Sequence, residues 1–203
     1  MDALLIGIGA GFGIAIPVGA IAVLIIETGI RGGFRPAMAA GAGAATADFL
    51  YSGAAVAGGV GLASAIESFE DPLRFVSAFV LVGIAILGLR RGRVASPSTL
   101  PHAADADRPL ATYRKFVGLT LINPQTVIYF AAFIVGLGVA TSMTAVEGAL
   151  FVAGAGAASL SWQTFIAGVG AFAGQRLPPP AQRTAIVAGN LIVLGFAVVI
   201  LLG

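Results

Sequence analysis

Asp48 stands in the run GAGAATADFLY, Gly41 to Tyr51, which otherwise carries no charge. A carboxyl group at the centre of a membrane helix costs roughly 3 kcal/mol on insertion scales, so some interaction must offset its burial. Tyr51 and Ser52 lie three and four residues on and share its helical face, with Thr46 nearby. Two chemistries fit such a group. Kept neutral and hydrogen-bonded to a neighbouring helix, it pins the fold; placed in a cavity, it binds a proton or a substrate.

Pro17, in AIPVGA, and Pro124, in LINPQT, lack an N–H, and each frees the carbonyl four residues upstream. Gly19 lets another backbone or a ligand approach the first break. Asn123, Gln125 and Thr126 surround the second with donors and acceptors. Each proline could mark a kink between packed helices, or an opening beside a cavity. Further along, Ser159, Trp162 and Gln163 recur at spacings of three and four, which predicts one polar stripe facing the interior. Substrate contact and interhelical hydrogen bonding both account for such a stripe.

These residues must be positioned by elements that live in lipid. The chain of 203 residues is 58% hydrophobic and 10% charged, with a mean hydropathy of +1.00, whereas a soluble domain is roughly 25% charged. The expectation is an all-α, polytopic membrane protein of six transmembrane helices. Span one covers Ala3 to Ile26, enters directly from the N-terminus as an uncleaved segment, and is followed by a turn holding Glu27, Arg31 and Arg35. Span two runs from Ala37 to Ala63, and an acidic connection from Ser64 to Arg74 leads to span three, Phe75 to Leu89. Arg90 to Lys115, with Pro97, Pro101 and Pro109, is expected to be a mobile loop. Phe116 to Ala140, Gly148 to Ala173 and Ala185 to Leu202 complete the set, and three prolines should end the helix between the last two sharply.

Ten Lys and Arg residues fall in alternate connections and only Arg74 in the others. By the preference of basic residues for the cytoplasm, both termini lie outside and the long loop inside. The basic pI of about 9.5 is therefore a topology signal, with no nucleic-acid partner implied. Glu27 and Arg31 read as a surface pair at a span end, and the lone His102 as solvated. The 29 glycines, roughly twice the usual share, suit close helix packing and allow a homodimer through glycine-rich faces.

Gly11 and Pro17 share their spacing with Gly118 and Pro124. Each half would then open on a proline-broken helix, giving a 3+3 inverted repeat with helices one and four broken. The single transporter domain divides into residues 1–89, a cytoplasmic loop 90–115, and residues 116–203. Without cysteine or a His, Cys or Met cluster in the spans, no soft-metal site is expected, and no cofactor. No Walker-type loop, nucleophile elbow or metalloprotease pattern is present, so the chain does not read as an enzyme.

The stretch PVGAIAVLIIETGIRGGFRPAMAAGAGAATADFLYSGAA resembles the first signature of the LysE-type translocators, the lysine exporter and RhtB-like amino acid efflux proteins. GLTLINPQTVIYFAAFIVGLG is similar to their second. The resemblance implies six spans, export of amino acids or related small solutes, and coupling to protons in the cytoplasmic (inner) membrane. It carries the first break to Pro17 and Gly19, the membrane acid to Asp48, and the second break to Asn123 and Pro124. Where the family usually has a second proline after the first, this chain has Ala20.

The combined expectation is a proton-coupled secondary exporter. Its site would lie among spans one, two, four and five and draw on Asp48, Pro17, Gly19, Tyr51, Asn123, Pro124, Thr126, Trp162 and Gln163. A passive channel or facilitator and a non-transporting accessory protein are the alternatives.

Overall fold

Every regular element among the described residues is an α-helix. The computed structural model describes residues 2–17, 19–67, 70–94, 108–123, 126–127, 129–130 and 143–202. Pro124, Gln125 and most of the second part of the expected fourth span lie outside them, as do Pro97, Pro101 and His102. The helices are α1 (Asp2–Ala15), α2 (Ala20–Gly32), α3 (Phe34–Glu67), α4 (Glu70–Val94), α5 (Pro109–Leu121), α6 (Ala145–Arg176) and α7 (Pro179–Leu202). Among the described residues, α6 and α7 are each long and apolar enough to cross a membrane, and α1 with α2 makes a third such stretch.

α1 and α2 meet at 77°. Pro17 denies α1 its next N–H. α2 restarts from Gly19, whose carbonyl accepts from the Val23 N–H at 3.3 Å. A bent pair of this kind either continues across the membrane or turns back, and its packing on α6 decides which. A Cβ added at Gly7 would meet Phe151, and one at Gly11 would meet Ala155; likewise Gly170 faces Ile26 and Gly174 faces Ile30. Each pair is separated by 144 residues (151 less 7, for example), so both pieces advance along α6 in one direction and one register. They form one broken helix that follows α6 in the same sense.

Backbone meets backbone along this seam. The added Cβ atoms would fall between 2.2 Å (at Gly7) and 2.6 Å (at Gly174) from a carbonyl oxygen of the facing helix. No larger residue fits, which is how small side chains drive helix association where lipid removes the hydrophobic incentive. α3 packs on another face of α6 in the opposite sense: Gly41 touches Gln163, Phe49 touches Gly156 and Val56 touches Gly148. The most buried cluster centres on α2 and includes Ile25, Phe116 and Val193.

Helix ends follow breakers and caps, and several expected boundaries shift accordingly. Gly33, at φ +80° and ψ −168°, takes up an extended backbone conformation of positive φ that glycine alone adopts readily and that ends α2, and its N–H makes the last helical bond, to the Gly29 carbonyl at 2.9 Å. α6 starts at a capping box in which the Thr144 N–H donates to Glu147 (2.8 Å) while the Glu147 N–H donates to the Thr144 hydroxyl (3.3 Å). The Thr144 backbone N–H, then its side chain, hold the Glu147 carboxyl below its ordinary range.

α4 continues to Val94 and α5 begins at Pro109, so both ends of the expected loop are helical. Most of Ser64 to Arg74 is likewise absorbed into α3 and α4. Polar residues do not stop a helix that has left the hydrocarbon, because water solvates their side chains. The proline run between the last two spans also opens α7, where the missing N–H has no intrahelical partner to lose.

The Glu27–Arg31 pair is not a surface pair. Arg31 Nε donates to Glu27 Oε1 at 2.8 Å, and the Nδ2 of fully buried Asn190 on α7 donates to Glu27 Oε2 at 2.9 Å. A Cβ at Gly88 of α4 would collide with the Asn190 amide, so this asparagine ties α2, α4 and α7 together.

Candidate functional site

Asp48 lies near the middle of the α3–α6 seam and is 6% exposed. The Ser159 hydroxyl of α6 donates to its Oδ2 at 2.6 Å. The other polar neighbours expected from the sequence do not reach the carboxyl. Ser52 donates back to the Asp48 backbone carbonyl at 2.7 Å, and Thr46 accepts from the Tyr113 hydroxyl at 3.0 Å. One hydroxyl leaves a carboxyl, which has acceptor sites on both oxygens, short of partners from α3 and α6 alone.

The second break supplies the opposite wall. α5 ends at Leu121 and the Asn123 N–H closes on the Thr120 carbonyl at 3.2 Å. A new turn begins at Asn123, whose carbonyl accepts from the Val127 N–H at 3.3 Å and whose Nδ2 donates to Thr126 Oγ1 at 3.2 Å. Asparagine followed by proline is a favourable sequence for a helix start, and the side-chain bond to Thr126 spans that first turn. Leu121 has no continuing helical turn above it, and the Tyr51 hydroxyl of α3 donates to its carbonyl at 2.6 Å. Tyr51 also stacks on Phe130, ring centroids 5.4 Å apart.

Between the breaks lies a cavity of about 50 Å³, lined by Asp48, Pro17, Gly19, Asn123, Thr126 and Gln163 together with Ile14, Ala15, Ile21, Ala22, Ala44, Thr120 and Tyr129. That volume holds a few water molecules or an ammonium head group. Thr120 Oγ1 and Gln163 Oε1 are buried and make no hydrogen bond among the described residues, although both residues line the cavity. A buried acceptor without a donor costs about 1–3 kcal/mol, so the wall is built for a ligand that brings donors.

Six of the nine residues singled out from sequence thus share one cavity. Tyr51 stands behind it, occupied by Leu121. Trp162 lies apart from it, against the core around α2 and beside Phe165, ring centroids 5.4 Å apart. The error in the expected stripe is one of helical phase. At about 100° per residue, Gln163 lies about 40° from Ser159 in one sense and Trp162 about 60° in the other. Pro124 falls outside the described residues. Thr120, Ala44 and Tyr129 were missed; Thr120 carried a signal, since it stands four residues before Pro124.

Among the described residues no group of His, Cys, Asp and Glu is arranged to hold a metal ion. The family model described as LysE type translocator matches residues 12–203. No curated protein and no solved structure matches the chain.

Proposed function

The chain belongs to the LysE type translocator family, and from that premise we propose a proton-coupled exporter of amino acids or related small solutes whose transport site is the cavity around Asp48. Family membership alone implies a membrane protein that moves such solutes outward and points away from catalysis. The finer reading rests on one observation: between two helix breaks Asp48, a buried carboxyl group, lines one cavity with Thr120 and Gln163, each of which carries a buried oxygen without a partner among the described residues. A primary ammonium brings three donors and a positive charge, which complement that wall. Asp48 would then carry either the ammonium or a proton, and the exchange of one for the other couples transport to the proton gradient. In this conformation the cavity accepts only the head group, so transport requires the walls at Pro17 and Asn123 to part.

We place the protein in the cytoplasmic (inner) membrane with six spans in two three-helix halves and both termini outside. The parallel packing of α1–α2 on α6 supports this, since first and fifth spans run in the same direction, and so does the antiparallel packing of α3 on α6. A homodimer has fewer glycine faces to use than the sequence suggested, because Gly7, Gly11, Gly154, Gly170 and Gly174 already pack inside the chain.

The Ser159–Asp48 bond favours a second reading, in which Asp48 only pins α3 to α6. Reconstituted liposomes loaded with an amino-acid mixture distinguish the two. An imposed pH gradient should drive efflux through the wild type, and Asp48→Asn should reduce it at least about tenfold while leaving the protein folded. Wild-type efflux from Asp48→Asn would eliminate the coupling role.

A further inference from the structure

The two halves place an aromatic donor at matching points beside their broken helices, and only one of the two donors has a partner. Asp48 and Ser159 are separated by 111 residues. Gly43 and Gly154 stand at the same separation, as do Tyr51 and Trp162. The glycines give this correspondence a physical meaning. A Cβ at Gly43 would press on the Tyr113 carbonyl oxygen and the Val117 nitrogen; one at Gly154 would press on the Leu4 carbonyl oxygen and the Ile8 nitrogen. Each glycine therefore rests on one full turn of a broken helix, α3 on α5 and α6 on α1. The prolines that end those helices, Pro17 and Pro124, are separated by 107 residues, within two of the 109 that relate the two glycine contacts.

In one half the latch is closed: the Tyr51 hydroxyl bonds the carbonyl of Leu121, the last residue of α5. In the other, Trp162 Nε1 is buried with no acceptor among the described residues. The register of α1–α2 on α6 places Trp162 opposite the first break, because Gly11 of α1 packs on Ala155 and Ala158 before it and Ile26 of α2 on Gly170 after it. The proline spacing makes Ile14, in the last turn of α1, the counterpart of Leu121. Carbonyls in a last turn outrun the supply of helical N–H groups, and a buried indole N–H left without an acceptor is costly.

We infer that Tyr51 and Trp162 are alternate latches. When the cavity opens to the opposite side, the Trp162 indole N–H donates to the last-turn carbonyl of α1 at Ile14, and Tyr51 releases Leu121. This rests on reading the chain as an alternating-access transporter made of two inverted halves, which exchange conformations as access switches. Asp48 and Ser159 occupy equivalent positions in the two halves, so their bond survives the exchange.

Trp162 is the sole tryptophan. The indole N–H bands of an ultraviolet resonance Raman spectrum therefore report it alone. In liposomes, Tyr51→Phe should raise the ratio of hydrogen-bonded to unbonded indole about fivefold, the shift supported by loss of one net hydrogen bond from the competing state. Thr46→Val, which breaks the Tyr113–Thr46 bond between the same two helices, should leave the bands in place. Unchanged bands in Tyr51→Phe, or an equal shift in Thr46→Val, would overturn the inference. The spectra need no transported solute, so a failure of the export reading would show in the flux assay while the coupling between the two aromatics stood or fell by itself.

Discussion

At the residue scale, the site is defined by which polar atoms lack partners. Asp48 has Ser159, Asn123 has Thr126, and Tyr51 has Leu121, whereas Gln163 Oε1 and Thr120 Oγ1, on residues that line the cavity, are buried without a partner among the described residues. Gln163 therefore contributes little to holding the protein together through that oxygen and more to whatever the cavity binds. Gln163→Leu should raise the half-saturation concentration for efflux about tenfold, the loss of one good hydrogen bond, while thermal unfolding in detergent stays close to wild type. A large fall in unfolding temperature would instead make Gln163 structural. Asp48 and Pro17 were legible in the sequence because each violates what an apolar helix tolerates. Thr120 was marked only by standing four residues before Pro124, Ala44 by nothing, and the tie of Asn190 to Glu27 leaves no local trace.

At the element scale, the decisive feature is backbone contact between α6 and the broken span. Gly154 sits where a Cβ would lie 2.5 Å from the Leu4 carbonyl oxygen, whereas a Cβ at Gly168 would meet nothing within 4 Å. The same substitution should then have opposite effects at the two sites. Gly154→Ala overpacks the seam and should cost about 1–3 kcal/mol; Gly168→Ala should be neutral or stabilising by up to about 1 kcal/mol through helix propensity. Equal effects on reversible unfolding in micelles would show that the seam does not carry the fold. Composition made the helices legible, and proline their breaks. The partner of each helix was not, because pairing is fixed by which small residues face each other across the bundle, and the 144-residue register becomes visible only once both faces are known. Helix ends were misplaced where the hydropathy fell before a cap or breaker was reached, as at Val94 and Pro109.

At the scale of the whole molecule, the two breaks, the acid and the crossing of α3 with α6 converge on one small cavity. One aspect of this plan could be read early: that a proline interrupts the first apolar stretch. The gathering of Pro17, Asp48, Asn123 and Gln163 could not, since two helices and two breaks must meet before those residues become neighbours. The account depends on that cavity being open to each aqueous side in turn. The chain has no cysteine, so a single Ala44→Cys in the cavity wall gives an unambiguous probe for a membrane-impermeant thiol reagent applied from either face of oriented vesicles. The account predicts labelling from both faces, slowed by transported amino acids; a cysteine that reacts from one face only, or from neither, would contradict it.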